Sequence, residues 1–390
     1  MRIMLYSQHV LGIGHFFRSM EIAEALKPHR VLFVEGGDPL PGFKPQDHIE
    51  RVILPPLMMD PDFKIMESRR GELEEVKVQR SRTLLKVFGD YAPDVLLTEL
   101  FPFGRKQFRF ELTPLLETVE RLRPRPLVVC SLRDILVEKN DQAAYEQGVL
   151  AVLNRFYDLL LIHSDPRLTR LDETFERVRD IVPRVIYTGF VARPAPPHVP
   201  KTKGKVIVAS TGGGKVGTDL LSAVIDAVHD QPEADVRLRI FIGPFMEESD
   251  MEELRSLASR DSRVSLEPFS PDFPGELARA DLAITMAGYN TCMDILCTGV
   301  NALVYPFAQN REQMLRARRL EELGALRVLK DLDHKVLSNR IRDALHAPPF
   351  SRPGSSIDLH GAARTAEIIA DLYSNRSQAR LNANRRPASF

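Results

Sequence analysis

Short apolar runs alternate with stretches whose apolar positions recur every three or four residues, and the alternation continues over most of the chain. In the first half, RIMLYS, RVLFVE, RVILP, DVLLTE, PLVVCSL and DLLLIHS read as strands. Helical periodicity at Phe16–Leu26, Glu67–Phe88, Phe108–Leu122 and Ala143–Phe156 lies between most of them. Strands that are apolar along their whole length and separated by helices indicate a parallel sheet covered on both faces. Right-handed crossovers then bring the strand ends and following loops to one edge, where ligands bind.

After RVIYTGF the periodicity lapses in VARPAPPHVPKTKGK, rich in proline and lysine, which reads as an interdomain linker. The plan then restarts with KVIVAS, a glycine turn and a helix over Val216–Val228. RLRIFIG, RVSLEPF, DLAITMAG and NALVYPF follow as strands, with helices near Glu248–Ser259, Asn290–Cys297 and Arg311–Leu323. The expected division is a first domain over 1–188, a linker over 189–203 and a second domain over 204–359. An amphipathic helix over 360–373 and a polar, basic, disordered tail over 374–390 complete it. The fold class is α/β: two doubly wound, Rossmann-like halves, each opening with strand, glycine turn and helix.

Composition narrows the function. A chain of 390 residues is too long for one ordinary core and suits two α/β domains. Lys+Arg and Asp+Glu are both 53, and a formal net charge of +0 argues against wholesale nucleic-acid binding. The cysteines Cys130, Cys292 and Cys297 are odd in number and lack metal-ligand spacing, which suits a reducing compartment. The N-terminus enters a strand directly, and no apolar stretch approaches the roughly 20 residues of a membrane helix. The expectation is a cytoplasmic protein, with peripheral contact at the inner face of a membrane left open.

Three glycine turns carry the candidate chemistry. The first is Gly12-Ile13-Gly14-His15, with Arg18 one turn into the helix. A helix N-terminus there suits a phosphate or a developing anion, and a plain tight turn with His15 as a polar cap explains it equally well. Phe17 stands where G-x-G-x-x-G needs its third glycine. The second turn is Gly212-Gly213-Gly214-Lys215, too glycine-rich for a turn alone and better read as a backbone cradle for a diphosphate. It is not a P-loop, because Val216 follows Lys215. The third is Ala287-Gly288 before a helix capped by Asn290 or Thr291, with Asp294 on the same face. A carboxylate at Asp294 can accept from two vicinal hydroxyls, and an ordinary first-turn acid is the plainer alternative. Gln309 and Gln313 follow at i, i+4 spacing and could bond sugar hydroxyls or simply begin a solvated helix.

These stretches resemble a GT-B glycosyltransferase of family 28, which includes the enzyme adding N-acetylglucosamine to an undecaprenyl-linked peptidoglycan precursor. GIGHFFRSMEIAEAL resembles the first glycine loop and helix, YTGFVARP the interdomain crossing and STGGGKVG the second loop. MAGYNTCMDILCTGVNALVYPFAQNREQ resembles the nucleotide-sugar signature. The resemblance implies two domains facing across a cleft, a UDP-sugar donor and a last helix crossing back to the first domain. It assigns the ribose to Asp294, where the family has glutamate, the uracil to the backbone around Phe269, and the donor sugar to Gln309 and Gln313. The donor loops would then be Gly212, Gly213, Gly214, Lys215, Ala287, Gly288, Asn290 and Thr291. G-x-G-H-x-x-R (Gly12, Gly14, His15, Arg18) also resembles the nucleotide-sugar hydrolase of pseudaminic acid synthesis, which shares the fold and uses water as acceptor.

The expected reaction is metal-free transfer from a UDP-sugar to an unidentified acceptor, lipid-linked or polysaccharide. Hydrolysis and nucleotide-sugar epimerisation are the alternatives. No cofactor, metal or nucleic acid is expected; Asp60-Pro61-Asp62 reads as a loop rather than a metal site. His15 and Glu99, at the end of DVLLTE, are the candidates for the base. ELFPFGRKQFRFEL mixes Phe101, Phe103, Phe108 and Phe110 with Arg105, Lys106 and Arg109, and either touches an anionic membrane or fills the core.

Overall fold

The computed structural model describes all residues except 9–12, 38–42, 60–65, 69–70, 138, 195, 197–203, 233–234, 308, 349–356 and 385–390. Gly12, Asp60-Pro61-Asp62 and most of the 189–203 linker therefore lie outside the described residues.

In the first domain the chain order is β1 (Arg2–Gln8), α1 (Gly14–Ala25), β2 (Arg30–Gly36), β3 (Ile49–Ile53), β4 (Leu57–Met59), β5 (Met66–Ser68), α2 (Leu73–Tyr91) and β6 (Val95–Glu99). It continues with α3 (Arg109–Arg121), β7 (Leu127–Leu132), α4 (Gln142–Phe156), β8 (Leu159–Ile162) and β9 (Arg184–Tyr187). Seven of these strands form a parallel sheet ordered β3-β2-β1-β6-β7-β8-β9. The order reverses beside β1, so the loops after β1 and β6 open the crevice where α/β sheets bind ligands. His15 follows the first loop and Glu99 ends the strand before the second.

The second domain runs β10 (Lys205–Ser210), α5 (Thr218–His229), β11 (Val236–Phe241), α6 (Glu248–Ala258), β12 (Val264–Glu267), α7 (Phe273–Arg279) and β13 (Leu282–Thr285). Then come α8 (Tyr289–Thr298), β14 (Asn301–Val304), α9 (Arg311–Glu322), β15 (Arg327–Val328), α10 (His334–His346) and α11 (Gly361–Asn384). Its six-stranded parallel sheet is ordered β12-β11-β10-β13-β14-β15. The same reversal beside β10 brings the turns after β10 and β13 together.

Two features differ from the sequence expectation. The expected helix at Glu67–Phe88 begins at Leu73, because Met66–Ser68 pair with Leu57–Met59 as an antiparallel ribbon. The tail expected to be disordered from 374 continues α11 to Asn384. Tyr373 donates to Asp94 at 3.1 Å, and Arg376 lies 3.5 Å from Asp158, so α11 docks on the first domain. The chain's two crossings run side by side: Phe190 N–H donates to the Asp358 carbonyl at 2.7 Å, and Gly361 N–H to the Phe190 carbonyl at 2.9 Å. Phe101, Phe103 and Phe108 are buried in the first core, which overturns a membrane role for those three side chains.

Helix α9 fastens the domains together. Arg316 donates to Asp134, in the loop after β7, at 2.8 and 2.9 Å, and to the Ala287 carbonyl at 2.9 Å. Both charged side chains are 1% exposed. Burial alone pushes the Asp134 carboxyl up, but the Arg316 guanidinium overrides it and holds the group below its usual range. One turn away on either side, Glu312 pairs with Arg133, and Arg319 pairs with Glu173. Arg316→Met should leave Asp134 buried and unpaired, lowering the unfolding free energy by about 3–5 kcal/mol. Adding Asp134→Leu should recover most of that loss in a chemical-denaturation series. Equal stability of Arg316→Met and wild type would show that the pair does not hold the interface.

Candidate active site

A cavity of about 360 Å³ lies between the domains, with the expected loops on its walls. Gly14, His15, Arg18 and Arg133 come from the first domain. Gly212–Lys215 and Gly288–Thr291 face them from the second, with Phe269 and Gln313 nearby. Local sequence explains each wall. Helix α1 starts at Gly14 with no side-chain cap and no acid in its first turn, leaving its N–H groups unneutralised. Helix α8 begins the same way after Gly288. Between β10 and α5, Gly212 and Gly214 have φ of +74° and +86°. A Cβ at Gly214 would lie 3.0 Å from the Gly243 backbone. The glycine run thus serves backbone packing as well as an open N–H surface.

The structure joins the two candidates for the base. His15 Nδ1 is 2.6 Å from Glu99 Oε1. Arg18 donates to the same carboxylate oxygen, and Glu99 is 1% exposed. Burial pushes the Glu99 carboxyl up, but His15, Arg18 and Arg105 outweigh it and keep the group ionised. Burial lowers the His15 pKa to about 3, with Arg105 and Arg18 adding to the effect and Glu99 opposing it. The ring is neutral at pH 7. Its partner is an ionised carboxylate, so Nδ1 carries the proton and Nε2 is the basic nitrogen.

Other expected residues fall differently. Asp294 is buried and does not line the cavity; Arg193, from the interdomain crossing, grips its carboxylate through Nε at 3.2 Å and through Nη2. Burial raises the Asp294 pKa despite that cation. Ala287 is also buried, and its carbonyl serves Arg316. Gln309 is exposed outside the cavity, whereas the Gln313 side-chain Oε1 accepts from Phe307 N–H at 3.1 Å. Phe269 packs against Phe17 of the first domain, ring centroids 6.0 Å apart.

Sequence reasoning missed Arg133, Arg193 and Tyr289. The only signal for Arg193 was its place directly after the GFVA crossing, and Tyr289 carried the mark of an apolar helix position. The cations lining the cavity are Arg18, Arg133, Arg193 and Lys215. The three arginines have carboxylate partners in Glu99, Glu312 and Asp294. Among the described residues Lys215 makes no ion pair, so it is available to an anion. Among the described residues no group of three His, Cys, Asp or Glu side chains could hold a metal ion. Among the described residues no helix is long and apolar enough to cross a membrane.

Residues 207–367 match the glycosyltransferase family 28 C-terminal domain. The UDP-N-acetylglucosamine–N-acetylmuramyl-(pentapeptide) pyrophosphoryl-undecaprenol N-acetylglucosamine transferase of Paramagnetospirillum magneticum is 28% identical over 242 residues. That match covers 59% of this chain and 65% of the relative, a little under two thirds of the relative's length. Two solved structures match nearly the whole chain: Acinetobacter baumannii MurG, at a TM-score of 0.55 and 15% identity, covers 95% of this chain and 100% of its own. The calicheamicin glycosyltransferase CalG4, at 0.56 and 18%, covers 96% and 98%. At such identities these two speak for the fold.

His163, beneath this site, gives a pH test. It is fully buried between Ser131 Oγ at 2.7 Å and Thr188 Oγ1 at 2.9 Å. Burial and then the Arg18 charge lower its pKa to about 3, against Glu99. Below pH 6.5 the unfolded chain takes a proton that the folded chain refuses, so stability falls as pH drops toward 3. The stability advantage of wild type over His163→Gln should shrink by about 2 kcal/mol between pH 7 and pH 5. Parallel stability–pH curves would show that His163 is not held neutral.

Proposed function

We propose that the chain is a family 28-like GT-B glycosyltransferase, a reading supported by the match of residues 207–367 to the family 28 C-terminal domain, and that it moves a sugar from a UDP-sugar to an acceptor hydroxyl without a metal ion. The observation that carries this reading is the His15–Glu99 pair on one cavity wall, opposite the Gly212–Lys215 turn and the α8 N-terminus. In this reading the diphosphate lies against the second-domain N–H groups, with Lys215 as its side-chain cation. Those fixed dipoles and the ammonium stabilise the departing UDP, as metal ions do elsewhere. His15 Nε2 takes the proton of the attacking hydroxyl. Glu99 orients the ring and stabilises the imidazolium, and Arg18 keeps Glu99 ionised.

Atoms balance simply. The acceptor oxygen bonds to the anomeric carbon, the bond from that carbon to the β-phosphate oxygen breaks, and the acceptor proton passes to His15. The ribose contact is proposed for Asp294 once Arg193 swings aside or shares the carboxylate. The acceptor class is proposed from the undecaprenol-linked substrate in the relative's name, and action at the inner face of a membrane is proposed with it. Water in place of the acceptor gives the hydrolase through the same base, and product analysis with and without acceptor separates the two.

UDP should raise the melting temperature. His15→Ala should lower turnover by about 10²–10⁴-fold while UDP affinity changes far less. Turnover should also hold between pH 8 and pH 5, because the base protonates well below the usual histidine range. Full turnover in His15→Ala would remove the base. In a separate assay, activity should survive EDTA; loss on chelation, restored by magnesium or manganese, would overturn the metal-free step.

A further inference from the structure

The first turn of α8 belongs to the second domain, yet it holds the His15 turn from across the cleft. The Asn290 side-chain amide donates to the Gly14 carbonyl at 3.0 Å, the peptide group directly before His15. One residue earlier, the Tyr289 ring lies against the Arg18 guanidinium, 5.1 Å from Cζ to the ring centroid. The Tyr289 hydroxyl accepts from Val191 N–H at 2.9 Å and donates to the His163 carbonyl at 3.2 Å, so the ring cannot drift. Arg18 in turn binds Glu99, which holds His15 Nδ1. The backbone of the base and the cation of its counter-ion therefore end on consecutive residues of one helix turn. Gly288–Thr291 of that turn also line the cavity.

We propose that Asn290 is a positioning residue that couples donor-site occupancy to the placement of His15. An anion seated on the α8 N-terminus fixes this turn, and the Asn290–Gly14 hydrogen bond carries the constraint to the base. The inference rests on the donor reading above and gives Asn290 a different task from the direct donor contact that the family resemblance assigns. A side chain whose amide donates to the Gly14 carbonyl acts on the reaction through His15.

The test uses UDP as the probe and histidine labelled with ¹³C in the ring, with the His15 resonance identified by its loss in His15→Gln. In wild type, UDP should move the His15 resonance. Asn290→Ala should bind UDP within about threefold of wild type, and the UDP-induced shift at His15 should disappear. With a UDP-sugar donor its kcat should fall by about tenfold or more at unchanged donor KM, the consequence of a misplaced base. The retained UDP affinity of Asn290→Ala reports that the fold is intact.

A full His15 response in Asn290→Ala overturns the coupling. UDP affinity lost in proportion to kcat makes Asn290 a donor contact and overturns it too. Failure of UDP to bind wild type sinks the donor reading together with this inference. UDP binding that leaves His15 unmoved in wild type sinks the coupling alone.

Discussion

Arg316 and Asp134 come from different domains and meet where water does not reach. A charged pair out of water is stable only while both partners keep their geometry, because either one alone carries a large desolvation penalty. The pair therefore permits few separations of the two sheets. Arg316 also bonds the Ala287 carbonyl, at the root of the third glycine turn. The constraint that fixes the domains thus also fixes the turn before α8. From there Asn290 and Tyr289 reach the His15 turn and Arg18, so the ion pair and the cavity wall are joined through one helix turn.

A second buried charge does the local work. Glu99 ends β6 inside the first domain and is kept ionised by Arg18, Arg105 and His15. An ionised carboxylate at Nδ1 selects the ring tautomer that leaves Nε2 basic. Burial then keeps the ring neutral far below the usual histidine range. The Glu99 charge thus accounts for the tautomer, and burial accounts for the protonation state.

The architecture was legible because its signal is periodic: apolar strands and helical stretches alternate twice, with a glycine turn opening each half. The turns at His15, Gly212–Gly214 and Gly288 were legible for the same reason, as glycines at strand ends. What escaped were pairings between distant residues. Nothing in local pattern says that Arg193 reaches Asp294, 101 positions away, or that Asn290 reaches Gly14, 276 positions away. The resemblance assigns the ribose to Asp294, whereas its helical face alone leaves an ordinary first-turn acid open, and local pattern does not show the Arg193 cation that reaches it. The extension of α11 was hidden by its polar, basic composition, which describes a solvated helix face as well as a disordered tail.

The most direct measurement is a crystal structure of the UDP complex. The account requires the diphosphate against the backbone of Gly212–Lys215 and the N-terminus of α8, with His15 across the cavity from it and still bonded to Glu99. UDP bound in the first domain, or a diphosphate pairing with His15 itself, would contradict it.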